Sequence, residues 1–332
     1  MNIPAGSFTL YTSRLFIYNF CMGSSSDIWF VIVNPHAGIN KCGKEWSHVE
    51  ALLQQHGVKH THVFTERRGH AIELAKSAVN SGYTRLVAVG GDGTAHEVAN
   101  GILTSQAANT ADITMGLIEV GTGNDWGRTM LIPRECEKAV EALVKGTTRV
   151  QDVAEINFNT HGTRCTRYCI NVAGIGYDAF VAKKTNAMKD HNHGGKMAYL
   201  WQLVTGLFQY RITHATVTVD GIVWCDEPMF SISVGIGKFN GGGMCQLPNA
   251  EPDDGLLDVT FIAQIGVAGV VKNLPGLYDG SFIHDSRVRT VQGRQITITA
   301  SRPVSLEADG ESLGTTSAHF SILDKKLRVV VQ

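Results

Sequence analysis

Four short runs in the first half of the chain read as strands, and each is followed by a polar turn. They are Ile28–Val33, His60–Phe64, Leu86–Val89 and Thr114–Ile118. The apolar, valine-rich run Leu86–Val89 suits a strand buried on both faces. Between them, Lys41 to Gln55 sets Trp46, Val49, Leu52 and Leu53 on one helical face. Ala71 to Asn80 forms a second helical stretch, and from Thr94 onward Ala95, Val98, Ala99 and Ile102 share a face. Strands alternating with helices predict an α/β domain: a parallel sheet with helices on both sides. Ligands of such sheets sit beyond the carboxyl ends of the strands, where the four polar turns should converge.

After about Arg149 the period shortens. Val150–Phe158, Tyr168–Ala173, Ala215–Val219, Ile222–Cys225 and Phe230–Val234 are short β-rich runs, and Asp220-Gly221 is a two-residue hairpin signal. Similar runs at Leu257–Ile262, Val288–Val291, Gln295–Thr299, Val304–Leu306, His319–Ile322 and Leu327–Val331 predict an antiparallel β-sandwich. One helical stretch, Lys196–Phe208, interrupts them. Its apolar face (Tyr199, Leu200, Leu203, Val204, Leu207, Phe208) suits packing on the sandwich or contact with a bilayer, and Lys183, Lys184, Lys189 and Lys196 surround it. The division expected is 27–150 for the α/β domain and 151–332 for the sandwich, whose last strand could return to the first domain. Residues 1–26 read as an extension, with Met22 as an alternative start; intact mass of the native protein decides between them.

Composition narrows the function classes. At 332 residues the chain can build two cores, and 43% apolar with 18% charged residues describes a globular protein. A net charge of −1 argues against a nucleic-acid binder. Seven cysteines, an odd number without a Cys-x-x-Cys pair, favour a reducing, cytoplasmic compartment. His191 and His193 read as part of a solvated loop. No apolar run reaches transmembrane length.

The turn Gly90-Gly-Asp-Gly-Thr94 carries the most chemistry. A strand, three glycines and a helix start gather backbone N–H groups where no Cβ blocks an anion. Asp92 would repel a phosphate unless a cation lies between them. The turn therefore points to a metal-bound nucleotide.

Asn34-Pro-His-Ala-Gly38, Gly90-Gly-Asp-Gly-Thr94, Gly121-Thr-Gly-Asn-Asp125, Asp253-Asp-Gly-Leu256 and Asp309-Gly-Glu311 stand in that order. Together they resemble the diacylglycerol kinase catalytic family in its bacterial soluble branch, relatives of the sphingosine and ceramide kinases. The resemblance runs from Ile28 to the C-terminus. It implies ATP-dependent phosphorylation of a lipid hydroxyl such as that of diacylglycerol, at a site visited from the membrane surface; it leaves a homodimer open. By the family pattern Asn34, Gly38, Thr65, Gly90, Gly91, Gly93, Thr94, Glu97, Thr122, Asn124 and Asp125 would hold the nucleotide. Asp92 would meet its Mg2+. Asp254, with backbone carbonyls near Glu251 and Leu256, would hold a structural Mg2+. Asp309 and Glu311 share a face if the strand is extended; either could take the acceptor's proton, with Glu311 narrowly favoured. His36 and His70 depart from the family's usual residues. Asn240-Gly-Gly-Gly-Met244 suits a headgroup cleft or a plain loop. Gly-Gly-Asp-Gly-Thr is shared with NAD kinases, so an NAD kinase-like enzyme and a non-catalytic nucleotide-binding regulator are the competing readings.

Overall fold

The structure, a computed structural model, describes residues 27–121, 123–160, 162–189 and 205–332. Most of the Lys196–Phe208 stretch, Thr122 and the extension before Asp27 lie outside the described residues.

In the first domain, strands β1 (Trp29–Val33), β2 (His60–Phe64), β3 (Arg85–Gly90) and β4 (Thr114–Glu119) pair in parallel in the order β4-β3-β1-β2. Alternate residues of these strands serve two cores. Val87 and Val89 pack with Val31, Val33, Trp46 and Leu53 towards helices α1 (Ala37–Gln55) and α5 (Cys136–Lys145). Leu86 and Ala88 pack with Ile32, Ala75, Val98 and Met115 towards α2 (His70–Asn80) and α3 (Asp92–Leu103). This two-sided burial explains why the strands read as continuous apolar runs. Helices α2 and α3 approach closely at Gly101, where a Cβ would sit 2.5 Å from the Ile72 carbonyl oxygen. Helix α4 (Asp125–Met130) and α5 follow the fourth turn, and α5 buries Ala139, Val140, Ala142 and Leu143.

The second domain is antiparallel. The expected strand Tyr168–Ala173 is two strands, β6 (Thr163–Cys169) and β7 (Val172–Gly176), separated at Ile170-Asn171. The expected runs at 222–225 and 230–234 are one strand, β9 (Ile222–Gly235), joined to β8 (Thr213–Val219) by the hairpin at Asp220-Gly221. Both turn residues have positive φ (49° and 85°), as a tight hairpin requires. Strands β5 (Thr148–Thr160), β12 (Leu257–Ala263), β14 (Gln295–Ala300) and β15 (Ser305–Ala308) complete the layers around Phe261, Phe320, Ile232 and Ile298.

One strand ties the halves together. The final strand β16 (Glu311–Val330) is 20 residues long. It pairs with β15 at its start, with β5 and β14 along its middle, and parallel to β4 at Arg328 and Val329. The parallel and antiparallel regions thereby belong to one sheet, and the start of β16 is delivered to the carboxyl ends of β3 and β4.

Candidate active site

Three turns of the first domain meet without room for side chains. A Cβ on Gly121 would lie 2.9 Å from the Gly91 Cα, and one on Gly90 would lie 2.3 Å from Thr94 Oγ1. Gly38 has φ of +62°, and its Cβ would press on the Val120 carbonyl at 3.1 Å. Asn34 is fully engaged in this construction: its Nδ2 donates to Thr94 Oγ1 at 3.0 Å and its Oδ1 accepts from the His36 N–H at 3.1 Å. Thr65 is buried, and its N–H donates to the Val33 carbonyl at 2.8 Å. Glu97 accepts from the Gly69 and Ala71 N–H groups at 2.7 and 3.1 Å. Both of its oxygens thus clamp the loop between β2 and α2. Helix α3 begins at Asp92, two residues before the expected start, so its open first turn faces the cleft.

Behind the turns lies a cluster of acids. Asp92 Oδ1 accepts from the Asp125 and Trp126 N–H groups at 2.9 and 3.1 Å. Burial, with the charge of Asp125 second, still pushes Asp92 up to about 6. Asp125 is raised by burial, against the N–H of Gly242, which donates to its Oδ2 at 2.7 Å. Glu119, at the end of β4, is buried and neither carboxylate oxygen makes a hydrogen bond of normal geometry. Burial first and the Asp92 charge second push it up to about 8, against Arg134. Asp125 Oδ1 and Asn124 Oδ1 are likewise buried and unpaired. Unsatisfied buried acceptors facing neighbouring carboxylates are the donor set a hard divalent cation would satisfy. The residues fit Mg2+.

The Asp309-Gly310-Glu311 segment is a turn, and this changes the expected division of labour. Asp309 and Gly310 have φ of 50° and 83° and form the tight connection between β15 and β16. The two acids therefore do not share a strand face. Asp309 turns inward and is saturated: its Oδ2 takes hydrogen bonds from His96 Nδ1 at 2.7 Å and the Ile170 N–H at 3.0 Å. Its Oδ1 takes them from the Asn171 N–H at 3.0 Å and Cys169 Sγ at 3.1 Å. It caps the break between β6 and β7 and pins α3 to the second domain. Glu311 points into the cleft, its Oε1 only 3.0 Å from where a Cβ of Gly93 would stand. Arg68 Nε lies 3.4 Å from Glu311 Oε2.

Glu307, one turn below, is buried and holds the Gly310 N–H at 2.8 Å and Asn240 Nδ2 at 3.0 Å. Burial outweighs these donors and pushes its carboxyl up to about 8. A folded-state value above the unfolded one of 4.5 means that its contribution is fully present below pH 4.5 and is lost as pH rises through about 8. Glu307→Gln, a permanent mimic of the neutral acid, should raise Tm at pH 8 by several degrees and flatten the slope of Tm between pH 5 and 8; calorimetry across that range checks this.

Around the expected structural Mg2+ site, Arg149 pairs with Asp253 at 2.7 and 2.9 Å, Lys238 Nζ lies 3.0 Å from Glu251 Oε1, and Arg294 donates to the Gly255 carbonyl at 2.8 Å. The Asp254 carboxylate is exposed and accepts from the Leu256 N–H at 3.0 Å. Expectation from sequence missed Glu119, Arg68 and His96. Glu119 closes an apolar strand and His96 sits inside an apolar helix, and neither position carried a local signal.

These features define a two-lobed phosphotransferase, with a glycine-walled phosphate turn on one lobe and a carboxylate delivered from the other. Residues 28–156 match the family model of the diacylglycerol kinase catalytic domain, and residues 171–331 match that of the YegS C-terminal NAD kinase beta sandwich-like domain. The first of these matches falls on the α/β domain and the second on the antiparallel domain. It is 28% identical over 308 residues to a diacylglycerol kinase of Bacillus subtilis, covering 91% of this chain and 95% of that one. Over 299 residues it is 26% identical to a diacylglycerol kinase of Staphylococcus carnosus, covering 90% and 93%. A crystal structure of a diacylglycerol kinase from Bacillus anthracis shares the fold, with a TM-score of 0.68 at 21% identity over 92% of this chain and 97% of that one.

Proposed function

We propose that the protein transfers the γ-phosphoryl group of ATP to the hydroxyl of a lipid of the diacylglycerol class. The observation that carries this is Glu311 standing against Gly93 across the cleft. The open first turn of α3 and the side-chain-free surface of Gly91, Gly93 and Gly121 bind the triphosphate. Glu311 accepts the proton of the acceptor hydroxyl as its oxygen bonds to phosphorus, and the bond to the β–γ bridging oxygen breaks, releasing ADP. Arg68 holds the Glu311 carboxylate towards the cleft and places positive charge beside the transferred group. Asp309 acts on the chemistry only by fixing the turn from which Glu311 projects. Mg2+, held by one or two of Asp92, Glu119 and Asp125 together with phosphate oxygens, would neutralise the charge of the triphosphate. The glycine loop at Gly241–Gly243, tied to Asp125 through the Gly242 N–H, forms the second lobe's side of the entrance.

Transfer of label from γ-labelled ATP tests the reading. Diacylglycerol in mixed micelles should become labelled and NAD should not; labelled NAD with unlabelled lipid would overturn it. Asp92→Asn should raise the Mg2+ concentration needed for half-maximal rate at least about tenfold, while raising the Tm of the nucleotide-free protein at pH 8, because it removes a carboxylate repelled by Asp125.

The membrane contact we propose lies at Phe208, whose ring is 77% exposed beside the partly buried Leu207. None of the described helices is long and apolar enough to cross a bilayer. Phe208→Ser should weaken cosedimentation with anionic liposomes by several-fold in a protein of unchanged Tm; equal binding would remove this contact.

A further inference from the structure

A second metal-binding site lies away from the cleft, where α1 covers the edge strand β2. Glu50, His60 and His62 each offer a ligand atom, and these atoms all lie within 4.8 Å of one another. His60 and His62 are two apart on one strand, so they share its face; Glu50 reaches them from α1.

The geometry around each residue prepares it for a metal. His60 Nδ1 lies 2.9 Å from the Val58 carbonyl oxygen. A carbonyl only accepts, so the ring proton is on Nδ1 and the Nε2 lone pair is available, the arrangement a backbone carbonyl gives to metal-ligating histidines. His62 Nδ1 lies 3.4 Å from Glu50 Oε1. The His62 ring rests on Trp46 with centroids 4.8 Å apart, and on Phe64 at 5.4 Å, which restricts its orientation. The side chains of His62 and Glu50 are 34% and 31% exposed, so an ion has a path of entry and a place for water in its shell.

We propose that Glu50, His60 and His62 bind a borderline transition-metal ion, Zn2+ by preference. Two imidazoles and one carboxylate suit Zn2+, with solvent in the fourth position, and do not suit Mg2+, which takes oxygen ligands. The site is chemically separate from the acids of the kinase cleft. Its effect is mechanical. It ties α1 to β2, which among the described residues is the outermost strand of the parallel sheet, with one edge unpaired. The same strand runs directly into the loop that carries Thr65 and Arg68.

The experiment uses full-length, tag-free protein stripped with a chelator and kept in excess Mg2+ to occupy hard oxygen sites. Titration with Zn2+ in a calorimeter should show one ion bound per chain, and Cu2+ should quench Trp46 fluorescence with the same stoichiometry. His60→Gln and His62→Gln should each weaken Zn2+ binding at least about tenfold, and the His191→Gln/His193→Gln variant should not. Zn2+ should raise the Tm of the wild type and leave that of the His60→Gln/His62→Gln variant unchanged. Wild-type binding retained in that double variant, lost in the His191/His193 variant, or absent at tens of micromolar Zn2+ would overturn the site. Kinase activity enters none of these readouts, so failure here leaves the proposed reaction standing.

Discussion

Glu311→Gln is expected to lower kcat by about 10²–10⁴-fold, the range for removal of a placed general base. ATP affinity should change little, because Glu311 faces the transferred group and the acceptor rather than the nucleotide's binding turn. Stability should also hold. Glu311 is partly accessible, and its ion pair with Arg68 joins side chains that are 24% and 56% exposed respectively, a setting in which such pairs are worth little. A rapid-quench measurement with γ-labelled ATP and mixed micelles separates the effects. Turnover within tenfold of wild type would remove Glu311 from the chemistry.

Asp309→Ala should fail in a different way. Its carboxylate receives four hydrogen bonds in a buried setting, from one histidine, one thiol and two backbone N–H groups. Truncation leaves the Ile170 and Asn171 N–H groups unpaired and strips His96 of its partner. A buried donor left without its acceptor costs about 1–3 kcal/mol, so the two backbone N–H groups together cost about 2–6 kcal/mol. A fall in Tm of roughly ten degrees follows, at about 2–4 °C per kcal/mol for chains of this general size. Thermal unfolding of the purified variant checks this. The contrast between the two acids is the test: Glu311→Gln stable and inactive, Asp309→Ala unstable, its residual activity limited by the folded fraction. A stable Asp309→Ala protein with the kinetic defect of Glu311→Gln would move the base to Asp309.

That contrast also shows where sequence reading stops. The inner parallel strands were legible because their two-sided burial produces unbroken apolar runs; β2 lies at the sheet edge with partly buried and exposed residues, and its run at His60–Phe64 has the same limits in the structure. The convergence of the glycine turns followed from topology alone. The roles of Asp309 and Glu311 did not, because an extended strand and a left-handed turn give the same three letters opposite orientations. His96 and Asp309 are 213 residues apart, and Gly242 and Asp125 are 117 apart; contacts of that span leave no local periodicity. Strand β16 reads as separate runs because Asp324-Lys325-Lys326 interrupts its apolar pattern. In the structure Lys325 adopts φ of 50°, its N–H donates to Asp152 Oδ1 at 2.7 Å, and the strand resumes beyond it.

In the proposed reaction the Glu311 carboxylate faces the phosphate turn across the cleft. Crystals of the Glu311→Gln protein with ATP, Mg2+ and a short-chain diacylglycerol test this arrangement. The triphosphate is expected over Gly91–Thr94, and the acceptor hydroxyl within about 3 Å of the residue 311 side chain. A triphosphate bound elsewhere, or an acceptor hydroxyl closer to Asp309 or to no carboxylate, would contradict it.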